Sequence, residues 1–247
     1  IMPGWPKSFI CSSVFPFYNR HSSNIAMANL DQDSETEIVL SACDDKIYAF
    51  DYDGTILPGF PYRLHFAPFG NDGLGGLSLG DMDNDGNIEI ALTGNYYRCL
   101  TMYSYQQGQM FQRTEKCYPG EYSRNYAGED FILTSPILGN IDDDSFSEIV
   151  PIDTAFTDWG NGMYYPNAIW TIDATNLDGT SVEGYPRPIP PDLRVFYSNS
   201  YALSDIDNDG LNELVILAST FDLVDYDDNH YLFVYKTLGE QLFNDWP

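Results

Sequence analysis

Acidic and amide side chains recur in one nine-residue pattern at four places along the chain. The pattern is clearest in residues 81–89 (DMDNDGNIE), and an apolar pair, here Ile90-Ala91, follows each copy. Position 6 is glycine or serine in every copy, a small residue suited to a sharp turn. Positions 1, 3, 5 and 9 of the four copies are Asn29, Asp31, Asp33 and Glu37; Asp81, Asp83, Asp85 and Glu89; Asn140, Asp142, Asp144 and Glu148; and Asp205, Asp207, Asp209 and Glu213.

This spacing matches the coordination chemistry of calcium. Ca²⁺ takes about six to eight hard oxygen ligands, which carboxylates, amides and backbone carbonyls of one tight loop can supply. The alternative is that Asp, Asn and Gly merely form polar turns. Four copies in one frame favour the metal, and we predict about four Ca²⁺ ions, one per copy. The carbonyl at position 7 would add a backbone ligand from Glu35, Asn87, Phe146 and Leu211.

The loops differ from EF-hands, which need a bidentate glutamate at position 12 and a helix on each side. Position 12 is Leu40, Leu92, Pro151 or Ile216 in this chain. Apolar residues also alternate with a period of two before most copies, which indicates a strand. The third copy departs, because Pro136 takes the place of the first apolar residue. The predicted unit is therefore strand, calcium loop, strand.

Aromatic-proline pairs set the phase of a longer repeat. They begin at Trp5, Phe60, Tyr118, Tyr185 and Trp246, at intervals of 55, 58, 67 and 61 residues, with one acidic loop in each interval. Such spacing is typical of repeat architectures. Each repeat reads as four strands, a to d; in the first, strand a covers residues 24–30, b 37–41 and c 46–51, and d ends near Phe60-Pro61. The residue before each acidic loop is small, as expected for an innermost strand.

Four-stranded antiparallel blades around an axis make a β-propeller. We therefore predict an all-β chain with a single propeller domain over residues 1–247, divided into repeats at about 7–61, 62–119, 120–186 and 187–247. A β-sandwich is the alternative, but it predicts no repeat phase.

The loop pattern, followed by a strand and then by the segment Leu57-Pro58-Gly59-Phe60-Pro61, resembles the FG-GAP/VCBS-type repeats. These repeats form the calcium-binding propellers of integrin alpha chains and of many secreted microbial proteins. The resemblance covers nearly the whole chain and is most specific at residues 81–90 and 205–214. The Gly-Ala-Pro after strand b is absent, which places the chain nearer the microbial VCBS branch.

The family usually has about seven blades, whereas four repeats are visible here. The chain begins with Ile1 and both its ends lie at the same phase of the repeat. We therefore expect a processed chain or a piece of a larger propeller or multidomain surface protein, joined to further repeats or subunits. A complete four-bladed ring is the alternative.

Charge limits the possible partners. The formal net charge is −26, and 16 of the 37 acidic residues lie in the four loops, so much of the charge is explained by metal sites. The rest argues against binding to nucleic acid or to an anionic membrane surface. No apolar run has the length of a membrane span, so we expect no membrane insertion. With 43% hydrophobic residues, the chain is not a disordered acidic tail.

Four cysteines together with calcium loops indicate an extracellular or cell-surface location and up to two disulfide bonds. Three pairings are possible. Cys99 and Cys117 flank one stretch of the second repeat, while Cys11 and Cys43 fall around the first, so we favour those two pairs. Four buried free thiols are the alternative.

Aromatic residues are concentrated in loops predicted at the strand ends opposite the calcium loops. In an antiparallel blade, the a–b and c–d connections share one end, and the b–c and d–a connections share the other. Exposed rings on a rigid scaffold suit sugar rings or protein surfaces, although such rings can also fill gaps between blades. The predicted ligand-binding residues are Tyr96, Tyr97, Trp159, Tyr164, Tyr165 and Tyr197.

No catalytic residue is predicted. The three histidines fall in different repeats, and neither a nucleophile elbow nor a zinc-spaced histidine pair occurs. Some secreted polysaccharide lyases are calcium-containing propellers similar to this one, so a carbohydrate-active enzyme is an alternative. A lyase would need a cationic group beside a uronate, for which the candidates are Arg113, Arg124, Arg187 and Arg194.

Taken as a whole, the sequence predicts a secreted calcium-binding propeller that mediates adhesion or binds a glycan or protein. The calcium would be structural, and the ligand would bind at the face opposite the calcium loops. A purely structural unit of an extracellular assembly is a further alternative.

Overall fold

The computed structural model describes residues 2–8, 24–42, 46–64, 74–94, 99–117, 135–142, 144–156, 168–190, 193–194, 201–221 and 228–237. The regular secondary structure in these ranges consists of β-strands, and every strand pair is antiparallel. This confirms the all-β prediction. The sheets have two to four strands, and within the described ranges none closes on itself. The described part of the chain also contains no helix that could cross a membrane.

The chain divides into two compact units, Ile1–Pro136 and Ile137–Pro247. The first unit contains two four-stranded sheets, each with its strands in chain order. Sheet 1 consists of β1 (Ile25–Ala28), β2 (Glu37–Ala42), β3 (Lys46–Phe50) and β4 (Tyr62–Arg63). Sheet 2 consists of β5 (Leu74–Gly80), β6 (Glu89–Gly94), β7 (Cys99–Gln106) and β8 (Gln109–Cys117).

The predicted strands a, b and c of the first repeat agree with β1, β2 and β3. Strand d does not, because β4 begins after Phe60-Pro61 rather than ending there. Pro61 has no N–H to donate to a ladder, so pairing with β3 starts one residue later, at Tyr62.

In the second unit, sheet 3 is interrupted by a proline. Strand β9 (Ile137–Gly139) pairs with β10 (Glu148–Val150). Beyond the proline, β12 (Ala168–Ile172) pairs with both β11 (Ile152–Phe156) and β13 (Arg187–Pro188). Pro151 separates β10 from β11 because it lacks the N–H that the ladder needs. Its carbonyl still accepts a hydrogen bond from the Asp173 N–H at 3.0 Å, which keeps the two parts aligned.

Sheet 4 is organised around one long strand. Strand β16 (Glu213–Phe221) pairs with β14 (Leu193–Arg194), β15 (Tyr201–Ser204) and β17 (Asp228–Lys236), and β17 follows it over its full length. The nine-residue pairing places Lys236, the last residue of β17, opposite Glu213, the first residue of β16.

Each unit has its own hydrophobic core, formed by facing sides of its two sheets. In the first unit, Val39 and Ile47 of sheet 1 pack with Ile90 and Leu92 of sheet 2, and all four side chains are fully buried. In the second unit, Ile152 and Ile172 of sheet 3 lie in one cluster with Leu214 and Ile216 of sheet 4. Burial of such side chains contributes roughly 1.5–3 kcal/mol each, so the cores hold the strand pairs that carry the acidic loops.

The four acidic loops all connect neighbouring antiparallel strands. They are named here loop 1 (29–37, between β1 and β2), loop 2 (81–89, β5 and β6), loop 3 (140–148, β9 and β10) and loop 4 (205–213, β15 and β16). In each, the glutamate at position 9 is the first residue of the second strand and pairs with the small residue that precedes position 1: Ala28, Gly80, Gly139 or Ser204.

Candidate metal centres

The glutamate at position 9 closes each loop by the same hydrogen bond. Its Oε2 atom accepts the backbone N–H of position 2, and its side chain is buried in all four copies, at 4% exposure or less. Because a small residue lies directly across the ladder, the side chain has room to turn back toward the loop. The donors are Leu30 (2.5 Å), Met82 (2.9 Å), Ile141 (2.9 Å) and Ile206 (2.8 Å).

The aspartate at position 5 makes a second contact that all loops share. Its Oδ1 accepts the backbone N–H of position 7 at 2.7–3.0 Å. Position 4 adopts a left-handed conformation in loops 1, 2 and 4, with φ of 65° at Gln32, 57° at Asn84 and 61° at Asn208. Loops 1, 2 and 4 therefore share a left-handed turn at position 4, whereas the sequence predicted a turn only at position 6.

Within each loop, three carboxylates converge. One side-chain oxygen from each member of the group lies within 4.8 Å of the others, a spacing that one cation could bridge. The groups are Asp31, Asp33 and Glu37; Asp81, Asp83 and Asp85; Asp142, Asp144 and Glu148; and Asp205, Asp207 and Glu213. The structure thus brings together twelve of the predicted ligands, and it leaves Glu89 and Asp209 outside their groups.

Loops 1 and 3 contain a buried carboxylate oxygen that has no partner. The Oε1 atoms of Glu37 and Glu148 are fully enclosed and accept no hydrogen bond. Burial raises the pKa of Glu148 to about 7, and the nearby Asp142 and Asp144 add to the shift. Burial likewise raises the pKa of Glu37, with smaller contributions from Asp31 and Asp33. A buried carboxylate beside two others is costly unless a proton or a cation neutralises it, and a hard divalent ion is a cation that these oxygens fit.

The four loops alternate between two kinds. Loops 1 and 3 have asparagine at position 1 and serine at position 6, whereas loops 2 and 4 have aspartate and glycine there. In loops 1 and 3, the position-1 Nδ2 donates to the position-5 carbonyl, at 2.7 Å for Asn29 and 2.5 Å for Asn140. In loops 2 and 4, the position-1 carboxylate instead accepts the N–H groups of positions 5 and 6, at 3.0–3.1 Å.

Loop 2 is neutralised in part by a neighbouring strand. Ser104 of β7 donates its hydroxyl to Glu89 Oε1 at 2.8 Å, which explains why Glu89 lies outside the carboxylate group. Arg113 of β8 donates to Ser104 Oγ at 3.0 Å and to Asp83 Oδ2 at 3.1 Å. The other oxygen of Asp83, Oδ1, is buried without a partner, so loop 2 keeps one free ligand oxygen.

Loop 4 contains a lysine. Lys236 Nζ lies 2.7 Å from Asp207 Oδ2 and 2.7 Å from Asp209 Oδ2. These hydrogen bonds raise the pKa of Lys236 and lower the pKa of Asp209. The lysine thus contacts one member of the group formed by Asp205, Asp207 and Glu213, and also Asp209, which lies outside that group.

The two loops of each unit are connected directly. In the first unit, Gln32 Nε2 of loop 1 donates to the Gly86 carbonyl of loop 2 at 2.9 Å and to Asn87 Oδ1 at 3.1 Å. In the second unit, Asn212 of loop 4 donates its Nδ2 to the Asn140 carbonyl of loop 3 at 2.7 Å. Each unit thus holds its two acidic loops side by side.

The predicted aromatic ligand-binding residues, Tyr96, Tyr97, Trp159, Tyr164, Tyr165 and Tyr197, all lie outside the described residues. Among the arginines considered for a lyase, Arg113 holds loop 2, as described above. Arg187 donates to the Gly184 and Thr237 carbonyls and stacks on Tyr185, with its guanidinium 4.4 Å from the ring centroid. Both arginines therefore make structural contacts. Arg124 lies outside the described residues, and the side chain of Arg194 is not described.

The predicted disulfide between Cys99 and Cys117 is confirmed, and it joins residues that lie directly opposite on β7 and β8. It lies at the far end of β7 from Ser104, away from loop 2. Cys11 and Cys43 lie outside the described residues, so their predicted pairing stays a prediction.

Four residues that shape the loops were not among the predicted ligands: Gln32, Ser104, Asn212 and Lys236. For Ser104 and Lys236 a signal did exist, because both pair directly with a position-9 glutamate. A predicted b–c register would have placed them beside the loops. Gln32 and Asn212 act between sheets, and no local pattern in the chain reports such packing.

Comparisons of the chain with protein-family models, with curated proteins and with solved structures found no match. Its function is therefore inferred from the loops themselves.

Proposed function

We propose that this chain is a calcium-binding β-propeller module, in which about four Ca²⁺ ions stabilise the acidic loops. The observation that carries the proposal is the buried, unpartnered Oε1 of Glu37 and Glu148. Each of these oxygens belongs to a group of three carboxylates within 4.8 Å. A cation is the partner that such an enclosed carboxylate lacks.

The chemistry of the donors favours calcium over softer metals. Each loop offers carboxylate and backbone carbonyl oxygens, joined in loops 1 and 3 by an amide oxygen. Hard oxygen donors suit Ca²⁺ or Mg²⁺, whereas zinc and copper prefer nitrogen and sulfur. A nine-residue loop with several side chains and a carbonyl fits the flexible coordination of Ca²⁺ better than the strict octahedron of Mg²⁺.

The propeller part of the proposal is supported by the sheets. Sheets 1 and 2 are four-stranded, antiparallel and in chain order, as propeller blades are. The acidic loop joins the first and second strands of sheets 1 and 2, and an equivalent antiparallel pair in the other two sheets. The resemblance to FG-GAP/VCBS-type repeats agrees with this arrangement. Four repeats would form either a small ring or part of a larger propeller.

The proposed role is adhesion or the binding of a glycan or protein by loops opposite the calcium loops. The aromatic residues of those loops support this role from the sequence alone. The Cys99–Cys117 disulfide supports an oxidising, extracellular setting. In this role the metal does not act in catalysis; it keeps clustered carboxylates from repelling one another and so fixes one end of each blade.

Calcium titration of the purified chain by calorimetry tests the proposal, with Glu148→Gln as the diagnostic variant. We expect about four sites in the native chain. Glutamine preserves the side-chain length and can accept the Ile141 N–H, so the variant should fold. Loss of one charged ligand should weaken loop 3 at least about tenfold, which corresponds to roughly 1.4 kcal/mol.

Glu183→Gln is the matched control, because Glu183 is exposed and remote from the acidic loops in the sequence. It should bind calcium as the native chain does. Absence of calcium binding to the native chain would show that the loops are only polar turns, and equal behaviour of the two variants would show that Glu148 is not a ligand.

A further inference from the structure

Lys236 places its ammonium against two carboxylates of loop 4. Its ammonium lies 2.7 Å from an oxygen of Asp207 and 2.7 Å from an oxygen of Asp209, the residues at positions 3 and 5. Both positions are among those predicted to bind the metal. The strand register places the lysine there, because Lys236 pairs directly with Glu213, the position-9 glutamate of the same loop.

The lysine contacts a loop that has an extra carboxylate among positions 1, 3, 5 and 9, although each of the four loops carries four acidic residues in all. Loops 2 and 4 have a carboxylate at position 1, Asp81 or Asp205, where loops 1 and 3 have an uncharged asparagine. Loops 2 and 4 are also the ones that contact a basic side chain, Arg113 or Lys236. In the described part of the chain, no lysine or arginine lies within ion-pair distance of a carboxylate of loops 1 and 3.

Loop 4 differs from the other three loops in its buried carboxylate oxygens that lack a hydrogen-bond partner. Buried oxygens without a partner occur in loops 1, 2 and 3, at Glu37, Asp83 and Glu148, and loop 4 has none among its described residues. Arg113 reaches a single oxygen in loop 2, whereas Lys236 bridges two carboxylates in loop 4.

We propose that Lys236 is an intramolecular counter-ion of loop 4 that Ca²⁺ must displace, so that loop 4 is the weakest and most readily emptied site. This inference rests on the proposed calcium function. Displacement is feasible because the ion pair is exposed: the lysine side chain is 51% exposed and its two partners are 46% and 40% exposed. Exposed pairs contribute little to stability and are screened by salt.

The occupancy of loop 4 by Ca²⁺ would then depend on the calcium concentration. At low calcium the lysine balances the carboxylates, and β17 is held to the loop through its last residue. At higher calcium the ion replaces the ammonium and frees the Lys236 side chain. The buried Thr237, whose hydroxyl donates to the Asn212 carbonyl at 2.7 Å, keeps the strand end in place in either state. Loop 4 can thus empty and refill without loss of the sheet.

The test is a calcium titration of ¹⁵N-glycine-labelled protein followed by NMR. The Gly210 amide, at position 6, donates to Asp205 and reports on loop 4, and the Gly86 amide reports on loop 2 in the same sample. In the native chain we expect Gly210 to respond at higher calcium than Gly86. Lys236→Met keeps the length of the side chain but removes its charge, and it should lower the half-saturating calcium for Gly210 by about five- to tenfold.

Two further variants separate charge from structure. Lys236→Arg keeps the positive charge and should leave Gly210 responding near the native concentration. Lys46→Met removes the same charge at the start of β3, the strand end remote from loop 1, and should change neither titration. If Lys236→Met titrates like the native chain while calcium still binds, the inference is wrong and the proposed function stands. If no glycine responds and calorimetry finds no calcium site, the proposed function and the inference both fail.

Discussion

Asn212 and Asn140 join the two acidic loops of the second unit. The Asn212 Nδ2 donates to the Asn140 carbonyl at 2.7 Å, and the Asn212 backbone N–H reaches the same oxygen at 3.3 Å. Asn140 is the first predicted ligand of loop 3, while Asn212 precedes the last predicted ligand of loop 4. The two loops are therefore held together at one carbonyl oxygen.

We predict that Asn212→Ala lowers the free energy of unfolding more in calcium than in chelator. Removal of the donor should cost about 1 kcal/mol in either condition. In calcium it should cost more, because Asn140 also loses the contact that orients it as a ligand. Urea unfolding with and without calcium measures the difference.

Asn176→Ala is the matched control for that experiment. Asn176 also uses its Nδ2 in one hydrogen bond, to Thr180 Oγ1 at 3.0 Å, in an exposed turn outside the acidic loops. Its cost should be the same in both conditions. If Asn212→Ala lowers the free energy of unfolding by the same amount in calcium and in chelator, the contact is purely structural.

The stability of the calcium-free protein should fall as the pH rises from about 4.5 to 7. The folded state raises the pKa of Glu148 from 4.5 to about 7, so between these values it holds more protons than the unfolded state. Stability is then lost as pH increases. The shift corresponds to about 3 kcal/mol, and the raised pKa values of Glu37 and Glu89 act in the same direction.

Thermal unfolding in chelator at several pH values measures this dependence, and Glu148→Gln should flatten it. With saturating calcium the slope should reverse, because the ion binds the ionised carboxylates and protons compete with it. A stability that rises with pH in chelator would contradict the burial effect assigned to these glutamates.

Removal of the Cys99–Cys117 disulfide should destabilise the protein without changing calcium binding. The bond closes a segment with a sequence separation of 18 residues, for which the loss of chain entropy predicts about 3 kcal/mol. Since the bond lies at the end of β7 opposite loop 2, the Cys99→Ala/Cys117→Ala variant should keep the native number of calcium sites. Calorimetric titration together with urea unfolding checks both parts, and a lost site would reveal a longer-range effect of the hairpin.

The sequence predicted the strands around the loops because two independent patterns agreed there. Alternating apolar residues and fixed loop positions together located β1, β2 and β3. The short fourth strand was misplaced because the Phe60-Pro61 pair marks the turn before β4 and not its end. A repeat pattern predicts roughly where a strand lies. It does not predict which residue begins the strand when a proline removes a hydrogen bond of the ladder.

The spacing predicted that the side chains at positions 1, 3, 5 and 9 of each loop converge, and in the structure three carboxylates of each loop do so. The residues that modify the loops were not, because their effect depends on three-dimensional neighbours. Arg113 follows Asp83 by 30 residues and Lys236 follows Asp207 by 29, and each reaches its loop only through strand register. Gly139 is a similar case: a Cβ there would lie 3.1 Å from Asn212 Nδ2, a constraint set by packing between sheets 3 and 4.

The alternation of the loops has a consequence for how the chain arose. Asparagine and serine mark the first loop of each unit, and aspartate and glycine mark the second. Copying a single sheet four times would leave no such order. Copying a pair of sheets once would leave this order in both halves. The repeated element indicated by this pattern is a two-sheet pair, and the basic partner of its second loop comes from a different strand in each unit, β8 or β17.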